Sequence, residues 1–271
     1  MPHDPRFLAT AVEAVLRAGA IQMAHLGTEM NITKKGAIDL VTDVDVEIET
    51  MFRQMIATRF PDHDVLAEEL QTDAKATARY RWVFDPIDGT INYAHGLPIF
   101  CASLALEVDG CPEVGAVYDP TRQELFTAEK GGGASLNGAP LRVSTASTLL
   151  DSVLCTGFPY DVHEALDEVV GLFAEFVGRA RSVRRLGSAA LDLCYVAAGR
   201  LDGFWEQRLH AWDVSAGGLI VEEAGGRVPR FDGSPFDAHG EQVLASNGRI
   251  HDQMITAIAH FNATRSRNRT A

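Results

Sequence analysis

The order of hydrophobic patterns along the chain places the strongest limit on its fold. Two amphipathic helical patterns come first, over residues 5–26 and 43–60. Short strand-like runs then follow one another, which is typical of an antiparallel region, at residues 82–84, 99–108, 113–118 and 124–129. Asn137-Gly138 adds a hairpin turn signal to the same region. These patterns predict an α/β fold in which helices pack against a sheet.

The second half alternates between the two kinds of element. Strands are predicted at 153–156, 204–205 and 243–245, and helices at 163–178, 188–198, 213–224 and 250–261. The 271 residues suit one compact catalytic unit. Within it we predict an N-terminal metal-binding subdomain (1–150), a C-terminal subdomain (151–265) and a disordered tail (266–271) next to Arg265.

Composition excludes several classes of function. A net charge of −13 disfavours general nucleic-acid binding and anionic membranes, which require basic residues. The early residues are amphipathic and no stretch is long and apolar enough to cross a membrane, so we expect a cytoplasmic protein without a secretory signal. The scattered cysteines form no zinc or redox pair, and we expect them to be reduced and buried: Cys101, Cys111, Cys155 and Cys194.

The segment 85–90, Asp-Pro-Ile-Asp-Gly-Thr, is the most informative part of the sequence. It places two carboxylates, Asp85 and Asp88, at the end of an apolar strand. Gly89 then permits close backbone approach, and Thr90 adds a hydroxyl where a helix begins. Converging carboxylates and backbone N–H groups can bind a hard cation and a phosphate together. A simple turn is the alternative, since Asp-Gly is a common turn dipeptide.

Other acidic residues also fall at predicted strand ends and helix starts. Glu68 follows a strand-like Val-Leu pair, and Asp213 precedes a helix that it could instead cap. Asp39 and Asp45 flank a Val-Thr pair, and Asp45 could instead complete a capping box with Thr42. Active sites of layered α/β proteins gather at such positions. A set of oxygen ligands without paired histidines or cysteines favours magnesium over zinc.

Three ordered blocks give the sequence its resemblance to the inositol monophosphatase family of magnesium-dependent, lithium-sensitive phosphatases. The first runs from Asp39 through Thr42 to Asp45, with Glu68 and Glu69 downstream. The other two are 82–93 (WVFDPIDGTINY) and 212–226 (WDVSAGG…EEAGG). The resemblance covers roughly residues 5–260. It implies a layered αβαβα sandwich, a homodimer, two magnesium ions and a weaker third.

The resemblance also implies a role for each matching residue. Glu68, Asp85 and the carbonyl of Ile87 would hold the first metal ion, with Glu68 also supporting the third. Asp85, Asp88 and Asp213 would hold the second. Thr90, hydrogen-bonded towards Asp45, would orient and deprotonate the attacking water together with Glu68. These implied roles make Thr90, Asp45 and Glu68 the predicted catalytic residues.

The implied substrate contacts come from both halves of the chain. Backbone N–H groups of Gly89 and Thr90 would hold the phosphate, while Asp88 and Asp213 border the substrate. Residues 187–189 would approach its hydroxyls through Gly187, Ser188 and Ala189. Glu206 matches a position that binds an inositol hydroxyl, although a glutamate at a strand end is commonly a surface charge.

Two departures from the family pattern bear on these roles. Ala67 stands where a glycine is common, which is tolerable unless the backbone needs a positive φ. Lys34 and Lys35 both fall near a position that carries one lysine in the family. Neither departure changes a predicted metal ligand.

The predicted function is hydrolysis of a small phosphomonoester by metal-activated water, with myo-inositol monophosphate as the favoured substrate. Histidinol phosphate, sugar phosphates and nucleotides are alternatives, because the metal motif does not distinguish leaving groups. A regulatory protein that binds the transcription machinery is the hypothesis from a different class. Four retained metal-binding acids argue against a purely non-catalytic role.

Overall fold

A computed structural model describes residues 4–28, 32–34, 40–70 and 78–270. The helices are α1 Arg6–His25, α2 Asp43–Arg59, α3 Thr90–Ala94, α4 Leu166–Val177, α5 Ala189–Ala197, α6 Ala211–Glu223 and α7 His251–Thr270. The strands are β1 Ile32–Lys34, β2 Leu40–Thr42, β3 Asp64–Ala67, β4 Tyr80–Asp88, β5 Cys101–Val108, β6 Cys111–Asp119, β7 Glu124–Glu129, β8 Gly133–Leu136, β9 Ala139–Pro140, β10 Val153–Thr156, β11 Ser182–Arg184, β12 Gly203–Gln207 and β13 Gln242–Ser246. Every helix and strand predicted from the sequence is present among the described residues. Most bounds shift by a few residues, and α7 runs nine residues beyond its predicted end at residue 261.

Two larger sheets organise the described residues. The first has the order β3-β4-β5-β6-β7-β8-β9 and is antiparallel apart from the parallel pair β3–β4. The second has the order β11-β10-β12-β13, in which β10 runs parallel to both β11 and β12. Because carboxyl ends of parallel strands lie side by side, each sheet presents one edge at which active-site residues can gather.

Helices fill the layers around and between the sheets. Helices α1 and α2 pack on one face of the first sheet, and α6 packs on its other face. Helices α5 and α6 lie side by side between the two sheets, and α4 packs with α7 on the outside of the second sheet. This is the five-layer αβαβα sandwich that the resemblance implied.

Helix α6 is buried on nearly all sides, as a helix of the central layer must be. Its small residues allow the neighbouring elements to approach closely. A Cβ on Gly217 would stand 2.7 Å from Cβ of Leu193 in α5, inside any ordinary contact. The glycine therefore allows the two central helices to approach each other closely.

Two predictions about the ends of the chain differ from the structure. Helix α1 is long and apolar enough to cross a membrane by length and composition, with a mean hydropathy of 1.3, so the expectation that no such stretch exists was wrong. Its apolar face packs on the first sheet through residues such as Phe7, Ala11 and Val15. At the other end, α7 continues to Thr270, whereas the sequence pattern predicted that this helix ends at residue 261.

Several local expectations can also be checked. Ala67 does not have a positive φ, so the residue fits its position at the end of β3 without strain. Cys111 is exposed, unlike the other cysteines, which are buried as expected. Lys35 and Asp39 lie outside the described residues, so the choice between Lys34 and Lys35 stays open.

Candidate metal and phosphate site

The parallel strands of both sheets have their carboxyl ends at one pocket. From the first sheet, Glu68 follows β3 and the 85–88 segment ends β4. From the second sheet, Gly157 follows β10 and Glu206 lies near the end of β12. The predicted residues that line this pocket are Glu68, Asp85, Ile87, Asp88, Gly89, Thr90, Gly187, Ser188, Ala189, Glu206 and Asp213.

Three carboxylates converge at the base of the pocket. One oxygen each from Asp85, Asp88 and Asp213 lies within 4.8 Å of the others, close enough to hold a metal ion. Asp85 and Asp88 are buried, and Asp213 is partly buried. Glu68 is also partly buried and lines the same pocket.

The local fold explains how these side chains are held. Strand β4 continues through Asp85-Pro86-Ile87-Asp88, and its pairing with β5 is irregular between Asp85 and Asp88. Such an irregularity accommodates Pro86, which lacks an N–H for the ladder, and redirects the side chains around it. The backbone N–H of Ile87 donates to Oδ1 of Asp85 at 2.9 Å and fixes that carboxylate.

Asp88 connects the first sheet to the central helix α5. The hydroxyl of Ser188 donates to Oδ2 of Asp88, and the backbone N–H of Ala190 donates to the same oxygen at 2.8 Å. The N–H of Ala189 donates to Oδ1 at 3.3 Å. A carboxylate is favoured at the N-terminus of a helix, where backbone N–H groups lack partners within the helix.

Asp213 lies in the first turn of α6, which begins two residues earlier than predicted. Its Oδ2 accepts the backbone N–H of His210 at 2.7 Å. Asp213 is therefore not the N-cap residue. It occupies the third helical position and still faces the other carboxylates.

The electrostatics of this cluster of carboxylates (Asp85, Asp88 and Asp213) favour a bound cation. Burial raises the pKa of Asp85 well above its ordinary value, and the carboxylates of Glu68 and Asp88 raise it further. Burial also raises the pKa of Asp88, against the lowering effect of the Ser188 hydroxyl. Clustered, desolvated carboxylates are costly without a cation. An all-oxygen donor set fits a hard divalent ion such as magnesium.

Two predicted catalytic residues are arranged differently from the expectation. The hydroxyl of Thr90 donates to the carbonyl of Ile87 at 2.9 Å, whereas the resemblance implied a hydrogen bond towards Asp45. A hydroxyl in the first turn of a helix readily reaches a carbonyl three residues back. Asp45 does not line the pocket, and its Oδ2 accepts from the backbone N–H and hydroxyl of Thr42 in a capping box.

Glu206, on the second sheet, lines the same pocket as the carboxylates of Asp85, Asp88 and Asp213. It is 8% exposed, so it is a buried pocket residue and not a surface charge. Burial raises the pKa of Glu206 well above its ordinary value, and Asp192 and Asp213 raise it further. Both carboxylate oxygens lie 2.1 Å from the point that a Cβ on Gly157 would occupy. Only a glycine at position 157 leaves room for this placement.

Several residues of the pocket were missed by sequence reasoning. Asp192 of α5 is 1% exposed, and Arg185 lies 5.9 Å from the ring centre of Phe158. Gly157 and Phe158 follow β10, a strand that the sequence predicted, and that position was the available signal. Arg185 follows β11, for which no strand was predicted. Asp192 gave no such signal, since a lone acid inside a helical pattern is usually exposed.

Comparisons with known proteins match the chain over nearly its whole length. A sequence model of the inositol monophosphatase family matches residues 4–263. The chain belongs to the inositol monophosphatase family. Inositol-1-monophosphatase from Synechocystis sp. is 45% identical over 254 residues, covering 93% of this chain and 88% of the relative. The family supports assignment of the chain as a phosphatase.

Two further family members differ in name or in bound ligands. A protein named Nus factor SuhB from Haemophilus influenzae is 40% identical, covering 94% of this chain and 98% of its own length. A solved IMPase/NADP phosphatase, complexed with Mg²⁺ and phosphate, superposes with a TM-score of 0.80 at 25% identity. That superposition covers 93% of each chain. The family is thus described under names that imply more than one function.

Proposed function

We propose that this protein is a magnesium-dependent phosphatase that hydrolyses a small polyol phosphomonoester, with myo-inositol monophosphate as the favoured substrate. The observation that carries the proposal is the convergence of Asp85, Asp88 and Asp213 within 4.8 Å. Glu206 stands in the same pocket as a buried carboxylate facing that group. The three aspartates would hold the ions, and Glu206 would bind the leaving group.

We assign oxygen ligands from this chain to each of the proposed metal ions. Glu68, Asp85 and the carbonyl of Ile87 would hold one ion, and Asp85, Asp88 and Asp213 would hold a second. A third, weaker ion would depend on Glu68. When bound, such ions polarise the phosphate ester and lower the pKa of water. Their charge would also offset the repulsion that raises the pKa of Asp85.

The remaining residues would position water and phosphate. Thr90 would turn its hydroxyl from the Ile87 carbonyl towards the attacking water, with Asp45 and Glu68 supporting that orientation. The backbone N–H groups of Gly89 and Thr90 would donate to the phosphate oxygens. Gly89 has a φ of 97° and ends the strand in a conformation that only glycine adopts easily.

Substrate choice would depend on the wall opposite the carboxylate group. Glu206 would accept a hydrogen bond from a substrate hydroxyl, and residues 187–189 would border the same group through Gly187, Ser188 and Ala189. A buried carboxylate at this place favours a leaving group rich in hydroxyls over an apolar one. Histidinol phosphate and nucleotides are the competing substrates within the same reaction class.

A second candidate function comes from the relative named Nus factor SuhB. At 40% identity it supports the hypothesis that this chain also binds a partner in the transcription machinery. The retained carboxylate group argues that such a role would accompany catalysis. Homodimer formation, a cytoplasmic location and lithium sensitivity remain predictions from the family resemblance.

Phosphate release from a panel of phosphomonoesters, with and without magnesium, tests the proposal. The panel would contain myo-inositol 1-phosphate, histidinol phosphate, fructose 1,6-bisphosphate, 3′-phosphoadenosine 5′-phosphate and cyclohexyl phosphate. We expect magnesium-dependent turnover with the highest kcat/KM for the inositol ester. Full turnover in excess chelator would contradict the metal mechanism, and a strong preference for histidinol phosphate would contradict the substrate.

A further inference from the structure

Asp192 is a buried acid that none of the roles above uses. It lies on α5 one helical turn after Ser188, and its backbone N–H donates to the Ser188 carbonyl at 3.0 Å. Residues four apart share a helix face, so Asp192 lies behind the segment proposed to border the substrate. The side chain is 1% exposed and lines the same pocket as Glu206.

One oxygen of this carboxylate lacks the partner that burial demands. Across the described residues, Oδ1 of Asp192 has no hydrogen-bond partner. Two other buried aspartates show the usual situation. Asp88 accepts from Ser188 and two backbone N–H groups, and Asp202 accepts from the Ser144 hydroxyl and the Val153 N–H. Buried polar atoms are nearly always paired, and the exceptions point to a missing ligand or water.

The surroundings indicate what kind of group would satisfy Asp192. Its carboxylate is the neighbouring charge with the largest effect on Glu206, whose pKa it raises after burial itself. Both acids line the same pocket, as does Arg185. Buried carboxylate oxygens require hydrogen-bond donors. A substrate hydroxyl supplies a donor without the cost of burying another charge.

We propose that Asp192 is a specificity-determining residue, which accepts a hydrogen bond from a second hydroxyl of a polyol phosphate beside the one bound by Glu206. The inference rests on the proposed phosphatase function and deepens it. The substrate class becomes a phosphomonoester whose leaving group carries at least two hydroxyls on the side remote from the ester. A leaving group with one such hydroxyl would leave one of the two carboxylates unsatisfied, and a leaving group with none would leave both.

The test compares Asp192→Asn with a matched control, Asp202→Asn. Both changes replace a buried aspartate in the same part of the chain by an amide, but Asp202 does not line the pocket. The readout is the ratio of kcat/KM for myo-inositol 1-phosphate to kcat/KM for cyclohexyl phosphate, a ring of similar size without hydroxyls. We expect this ratio to fall about ten-fold in Asp192→Asn, the loss of one hydrogen bond to a charged group. In Asp202→Asn it should keep its original value.

Monodeoxy inositol 1-phosphates identify the hydroxyls involved. In the unmodified protein, removal of two different hydroxyls should each lower kcat/KM. One of these losses should disappear in Asp192→Asn, and the other should disappear in Glu206→Gln. An equal fall for both esters in Asp192→Asn would overturn the inference, as would a deoxy series with only one sensitive position. The deoxy series needs no variant, so it tests the inference even if Asp192→Asn fails to fold.

Failure of the inference can be told apart from failure of the proposed function. If the unmodified protein with magnesium hydrolyses neither ester, the proposed phosphatase function fails, and the inference fails with it. If it hydrolyses both esters with equal kcat/KM, the phosphatase reaction stands, but the polyol preference and the inference fail together. If it prefers the inositol ester and Asp192→Asn keeps that preference unchanged, the inference alone is overturned.

Discussion

Gly157→Ala is the substitution whose effect follows most directly from the structure. A Cβ at this position would stand 2.1 Å from both carboxylate oxygens of Glu206. Ordinary contacts to a Cβ begin at 3.4 Å. The carboxylate would therefore have to withdraw by roughly 1.3 Å to restore normal contact distances. The Glu206 carboxylate would then no longer lie within hydrogen-bond distance of the substrate hydroxyl that we propose it binds.

The size of the effect can be estimated from the interaction that is lost. A hydrogen bond to a charged acceptor contributes about 1.5–3 kcal/mol, which corresponds to roughly 10- to 100-fold in kcat/KM. A displacement of about 1 Å is enough to remove most of this contribution. We expect the ratio of kcat/KM for myo-inositol 1-phosphate to kcat/KM for cyclohexyl phosphate to decrease by a factor within that range.

Stability should respond differently from specificity. Position 157 does not have a positive φ, so alanine can adopt the native backbone without strain. The clashing atoms belong to the far end of a flexible side chain, which can move. Alanine also reduces the conformational freedom of the unfolded chain, which stabilises a protein by about 0.4–1 kcal/mol at compatible sites. The unfolding temperature of Gly157→Ala should therefore equal that of the unmodified protein or be slightly higher.

Two comparisons make the experiment decisive. Gly178→Ala is the control, because its Cβ would meet its nearest atoms at 3.6 and 3.7 Å, far from the pocket. Glu206→Gln tests the same carboxylate directly and should lower the same ratio of kcat/KM, at or below the low end of the range. If Gly157→Ala folds and keeps the original ratio, Glu206 does not contact the substrate. If both esters lose activity equally, Gly157 acts on the metal site and the reasoning is refuted.

The remaining predictions concern the metal site and one ion pair. Asp85→Asn should lower kcat by at least about 100-fold, since an amide carries no charge to hold the ions. In chelator it should keep or raise the unfolding temperature, because repulsion between the carboxylates is relieved. Wild-type turnover would contradict the ligand assignment. Thr90→Ala should lower kcat more than it raises KM, and a change in KM alone would make Thr90 a phosphate binder. The hydrogen bond to the Glu107 carboxylate raises the pKa of His239 above its ordinary 6.5, and burial opposes this only in part. The protonated, paired form is favoured by folding, so the stability difference between the unmodified protein and His239→Gln should be fully present below pH 6.5 and shrink as pH rises through the folded-state pKa, as followed by urea unfolding at several pH values.

The parts of the site that sequence reasoning found are those defined by local position. Asp85 and Asp88 end a strand, Glu68 follows a strand, and Asp213 lies in the first turn of a helix. The periodicity of hydrophobic residues and the residue types of turns determine such positions within a few residues. The capping box between Thr42 and Asp45 was likewise visible in the sequence and is present.

The parts that sequence reasoning missed depend on packing between distant elements. The contact between Gly157 and Glu206 joins the ends of two parallel strands, whose register no local pattern specifies. Asp192 enters the pocket only because α5 lies between the sheets with this face towards Glu206. The orientation of Thr90 also required the structure, because its hydroxyl can reach more than one acceptor.

Asp88 shows why the metal site and the substrate segment should be treated as one unit. Its carboxylate belongs to the first sheet and accepts hydrogen bonds at the start of α5, while Asn92 donates from α3 to the carbonyl of Leu186 at 2.9 Å. Residues 186–190 are thus held by the same segment that supplies two of the proposed metal ligands. A metal ion that draws on an oxygen of Asp88 must share it with these donors. We therefore expect ion binding at Asp88 and the placement of residues 186–190 to be coupled through this side chain, so that a change in one alters the other.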